Sequence, residues 1–149
     1  MSELPTADAT QLLEDAAVEA IATGEHPSFP DGLQLGVQVR PGRSKLAWPA
    51  NYVAVNGDDQ EPKHAEAGLW MVNATIWCVT DTEEKDAVAT AAALKAKMVR
   101  WLRPGCPLIR WGNEKIFIHG LTVSGPVQPV RRDFTYADVI PVRFAVRVY

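Results

Sequence analysis

Three isolated histidines, a short acidic cluster and two cysteines are the residues of this 149-residue chain from which metal or acid–base chemistry could be built. His26, His64 and His119 stand far apart, with no HxH, HExxH or Cys–His spacing. They therefore lack the paired ligand positions that zinc sites use. Asp58, Asp59 and Glu61 lie close enough to hold a cation, but their stretch lacks the ligand order of a calcium loop. Solvated charges are expected there. Asp133 and Asp138 flank Phe134 and Tyr136. They are either a general acid or base, or loop charges beside Arg131 and Arg132, and the second is expected. Ser124 sits in VSGP rather than in a nucleophile elbow, and no glycine-rich phosphate loop is present. The expectation is a chain with no catalytic, cofactor-binding or metal-binding residues, and not an enzyme.

Cys78 and Cys106 have no CxxC spacing, and Cys78 reads as a small buried hydrophobe. The opening MSELPTADAT is acidic and without an apolar run, so no signal peptide is expected. The run from Gly68 to Val79 is too short and too polar at Asn73 and Thr75 to span a bilayer. A cytoplasmic protein with no membrane partner is the default. Composition is globular, with 47% hydrophobic and 22% charged residues. Five tryptophans favour an assembly subunit, since tryptophan is enriched at interfaces as well as in cores.

The net charge of −3 hides an asymmetry. Residues 1–94 hold 15 acids and 5 bases, whereas residues 95–149 hold 3 acids and 10 bases. Opposed charge can fix register between copies, and head-to-tail contacts close into rings. The basic positions include Lys95, Lys97, Arg100, Arg103, Arg110, Arg131, Arg132, Arg143 and Arg147. A pI of about 5.6 and the lack of any nucleic-acid module argue against general nucleic-acid binding.

These residues need elements to hold them. Residues 8–23 read as a helix, with Leu12, Leu13, Ala16, Ala17, Ala20 and Ile21 on one face, Asp8 or Thr10 as cap and Gly24 after the last turn. Strands are expected at about 33–40, 51–55 and 69–80, the last apolar on both faces and so central. The polar stretch Asn56–Gly68 reads as a mobile surface loop. A second helix is expected over 82–102, opened by a capping box from Asp81 to Glu84. Its buried stripe is Val88, Ala91, Leu94, Met98, Trp101 and Leu102. Strands at about 108–111, 115–123 and 138–149 follow, with Ser124–Asp138 as a loop. In the last strand Ile140, Val142, Phe144, Val146 and Val148 share a core face. Pro141 suggests an edge or a bulge. The order of elements predicts a single α+β domain: a mixed or antiparallel sheet of about four to five strands, with two main helices on one face.

The leading helix ATQLLEDAAVEAIAT, the passage WMVNATIWCVTDTEEKDAVATAAALKAKMVRWL and the ending DFTYADVIPVRFAVRVY resemble the tail terminator family of long-tailed, lambda-type bacteriophages. The likeness is one of element order and length, over roughly residues 8–149. It implies an α+β subunit of a ring, typically a hexamer, that caps the tail tube, ends its polymerisation and presents a surface to the neck. The implied partners are a second copy, the tail-tube protein and the neck or connector protein, with nucleic acid only passing through the lumen. The implied location is the virion tail, with the host cytoplasm during assembly. Other head–tail joining, neck or tail-tube roles are the alternative, and a small α+β enzyme or ligand-binding module is the rival from another class. Arg131, Arg132, Arg143, Arg147, Trp111 and Tyr149 are the residues expected at a subunit or partner contact.

Overall fold

The computed structural model describes residues 8–23, 37–45, 48–81, 86–102, 106, 108–132 and 134–149. Its elements run α1 (Ala9–Thr23), β1 (Gln38–Pro41), β2 (Asn51–His64), a 3-10 turn (Ala65–Ala67), β3 (Leu69–Asp81), α2 (Ala87–Trp101), β4 (Ile116–Val123), β5 (Gln128–Arg132) and β6 (Thr135–Val148). The fold is α+β, and the sheet has six strands in the order β1-β2-β3-β6-β4, with β5 also paired to β6. β1 is parallel to β2 and every other pairing is antiparallel, so the sheet is mixed.

β6 organises this sheet. It pairs with β3 over its whole length, from Thr135↔Asp81 to Arg147↔Leu69. On its other side it meets β5 first and β4 afterwards. The alternation expected of the strand is present: Ile140, Val142, Phe144 and Val146 are fully buried under the helices. β6 is not an edge, contrary to one expectation from Pro141. The carbonyl of Pro141 accepts the Ser124 N–H at 3.0 Å. In a strand the missing N–H points the same way, towards the gap after β4 ends and before β5 begins. The proline is therefore tolerated in a central strand because no partner needs its donor.

Opposed positions in β3 and β2 continue the same buried face. Val72, Ala74, Ile76 and Cys78 pair with β6, and Val53 and Val55 pair with Cys78 and Ile76. α1 lies on β1 and β2, and α2 on β3 and β6. Alanines at 9, 16, 17 and 20 give α1 a small-residue face that approaches the sheet closely. Asp8 is the cap of α1: its carboxylate accepts the Gln11 N–H at 3.2 Å and the Thr10 hydroxyl at 2.6 Å. Arg43, in the turn after β1, pairs with Glu14 and Asp15 and ties that turn to the helix.

Several boundaries differ from expectation. Asn56–His64 is the second half of β2, paired with β3 as far as His64↔Leu69, rather than a loop. Bulges at Asp58 and Lys63, Pro62 and exposed charge blunt its outer edge against non-native pairing. Gly68, at φ 73, makes the tight return, and its carbonyl accepts the Val148 N–H. Asp81 ends β3 and does not cap α2, which is preceded by Asp86 in the left-handed region. Thr82–Lys85, and with them the Glu84 half of the expected box, lie outside the described residues, as do Gly24 and the expected strand residues 33–36. Counting from Ala87, the helical spacing buries Ala87, Ala91, Leu94, Met98 and Trp101 and leaves Val88 exposed. Leu108–Arg110 is a turn, with the Trp111 N–H bonded back to the Leu108 carbonyl and Arg110 at φ 72. β5 forms inside the expected loop because β6 extends back to Thr135 and offers a free side there.

Candidate functional site

Because both described helices occupy one face of the sheet, the residues of opposite parity look out on a face that is helix-free among the described residues. On β3 these are Thr75, Trp77 and Val79, and on β2 Tyr52, Ala54 and Asn56, as the pairs Val79↔Tyr52 and Trp77↔Ala54 require. β6 adds Thr135, Ala137 and Val139, and β5 adds Val130 opposite Ala137. Val79, Ala137 and Val139 are buried even without a helix above them and form a second apolar cluster with Tyr52, Trp77 and Val130. The sheet curls around that cluster. A concavity of about 460 Å³ results, walled by Gly42 and Trp48 at the β1 side and Val130 at the β5 side.

Three aromatic rings shape the site. Trp48, in the segment leading into β2, stacks on Tyr52 with centroids 4.3 Å apart. The Arg40 guanidinium lies 5.4 Å from the Trp48 ring centroid, within cation–π range. The Trp77 indole N–H donates to the Thr75 hydroxyl at 2.9 Å, which fixes the ring against its own strand. Burial pushes the Tyr52 phenol above its usual pKa, so it is neutral at physiological pH. At the mouth Asp58 occupies the β2 bulge, and of the described lining residues it is the one that carries a charge. Burial and then the neighbouring Asp59 raise its carboxyl above the usual carboxylate value. The concavity falls within the size range of small-ligand sites, though its exposed lining is more polar than apolar despite the aromatic rings. It can hold a planar or cationic group. Among the described lining residues there is no nucleophile with an adjacent base.

The other chemistry-bearing groups are dispersed. Cys78 and Cys106 are free and buried, and burial pushes their thiols up to about 12 and about 11. They are inert at neutral pH. Asp138 is a β6 residue on the helix side rather than a loop charge, is only 5% exposed, and accepts a 3.4 Å hydrogen bond from the Tyr136 hydroxyl. Its charge helps to raise the Cys78 thiol on the adjacent strand. Asp133 and His26 lie outside the described residues. Among the described residues no three His, Cys, Asp or Glu side chains gather as a metal site, and no helix is long and apolar enough to cross a membrane.

The residues expected at a contact do not converge. Arg143 and Arg147 share the helix-free face of β6, four residues or about 13 Å apart. Arg143 is held by Glu61 at 3.0 Å across β3, while Arg147 is exposed. Tyr149 is 71% exposed, with its N–H bonded to the Lys115 carbonyl. Arg131 pairs with Tyr136 on the other face and lies 5.6 Å from its ring. Arg132 ends β5, and its side chain lies outside the described residues. Trp111 packs half-buried against the main core. The Trp48–Tyr52–Trp77 concavity was not read from sequence. Its one signal was the apolar character of both parities in residues 69–80, which marked β3 as central without showing what covers its second face.

No protein-family model matches the chain, and no curated protein matches it significantly.

Proposed function

We propose that this chain is a structural virion subunit, a tail terminator of long-tailed bacteriophages. It assembles as a ring, typically a hexamer, caps the tail tube, stops its polymerisation and offers the neck a surface. The observation that carries this reading is the one-sided sheet. Helices cover one face, while the other keeps an aromatic concavity at one end and Arg143 and Arg147 at the other. A subunit that touches copies of itself and two different partners needs such surface beyond its core. The unequal charge of residues 1–94 and 95–149 supports a head-to-tail contact. The order of elements, helix first and an alternating strand last, supports the family resemblance. The role requires no catalytic residue and no cofactor. Another head–tail joining, neck or tail-tube role would use the same surfaces.

A second reading, a small ligand-binding module, has one specific observation behind it: the concavity with Asp58 at its mouth. The two are separated by adding purified chain to polymerising tail tubes and imaging the products by electron microscopy. A terminator caps tubes with rings and holds their length. A ligand-binding module leaves tube growth unchanged.

A further inference from the structure

We propose that the helix-free concavity is a receptor for an arginine guanidinium presented by a second copy of this chain. The inference rests on the assembly reading above and names one half of its contact. Three features of the site favour a planar cation. Trp77 lines it with a ring, on which guanidinium groups stack favourably, while Trp48 is already packed against Tyr52 and Arg40. Arg40 already makes this kind of contact at Trp48, on the rim of the site and not among its lining residues. Asp58 brings a carboxylate to the mouth, and Asn56 and Thr135 supply further oxygen acceptors. A cation there offsets the repulsion between Asp58 and Asp59.

Charge complementarity points to the second copy as donor. Asp58 and the aromatic wall belong to the stretch with 15 acids and 5 bases. The exposed Arg110, Arg131 and Arg147 belong to the stretch with 3 acids and 10 bases. A donor from one copy and a receptor on the next make a heterologous contact, the kind that closes into rings.

The test uses the full chain, with arginine amide as probe and the uncharged citrulline amide as control. Isothermal titration should show saturable binding of arginine amide, at least about tenfold weaker for citrulline amide and for Asp58→Asn. Asp58 lies on an exposed bulge, so the asparagine variant keeps the fold, as circular dichroism will check. Sedimentation velocity, with and without tail tubes, should show arginine amide dissolving the self-assembly. One of Arg110→Ala, Arg131→Ala or Arg147→Ala should weaken assembly to the same extent as Asp58→Asn. Absence of saturable binding, with assembly intact, would overturn the receptor and leave the ring reading standing. Binding of arginine amide that leaves assembly unchanged would overturn the second copy as donor and mark a small-molecule site. A chain that binds the probe yet stays monomeric with tubes would overturn that donor and the ring together.

Discussion

At the scale of single residues, Glu14 shows how burial and pairing compete. Its residue is 5% exposed, and burial raises its carboxyl pKa, with the Arg43 charge opposing. A carboxyl whose folded value is raised contributes most below its ordinary value of 4.5, and that contribution is lost as pH rises through the folded value. Glu14→Gln removes this loss while Asp15 still holds Arg43. The melting temperature of the variant relative to the parent should therefore climb between acid and neutral pH. A fall would show that the Arg43 pair outweighs the burial. In the proposed assembly Arg143 and Arg147 bear on association instead. The Arg143–Glu61 pair is exposed and worth about 0–1 kcal/mol. Replacing both arginines with glutamate should cost folding no more than about 1 kcal/mol yet abolish ring assembly on tail tubes. Loss of cooperative unfolding in that variant would place these arginines in the stability of the subunit instead.

At the scale of elements, β6 is the strand on which the sheet depends. Phe144 is fully buried at its centre, opposite Val72 and Leu121. Phe144→Ala should destabilise the chain by about 3–5 kcal/mol in urea unfolding, and a cost below about 1 kcal/mol would contradict the central placement of β6. The strand itself was legible because its alternation of buried and exposed positions is local. The second half of β2 was not, because Asn56–His64 is polar and becomes a strand only by pairing with β3. β5 was hidden likewise by Pro129 and by a partner that begins at Thr135. The expected stripe of the second helix is buried at five positions, Ala91, Leu94, Met98, Trp101 and Leu102, whereas Val88 is exposed and Ala87, four residues before Ala91, takes the buried place. Among candidate contact residues, the parity of Arg143 and Arg147 could be read directly. The inward turn of Trp111 and the gathering of Trp48, Tyr52 and Trp77 depend on sheet register and curl, which one strand does not encode.

At the scale of the molecule, one layer of helices on a six-stranded sheet buries the main core on one side, among the described residues. The second face is partly self-covered by curling, which makes the aromatic concavity, and no described helix covers the rest of it. That division separates what holds the subunit together from what is free to meet another molecule. Charge divides along the chain as well, with acids concentrated before residue 95 and bases after it. The ring assembly proposed above, at the end of a tail tube, would use both asymmetries. The most direct measurement is the length distribution of tails, by electron microscopy, in particles assembled without this chain. Tails that run beyond their normal length are the predicted result. Tails of normal length, joined to heads, would contradict the terminator role.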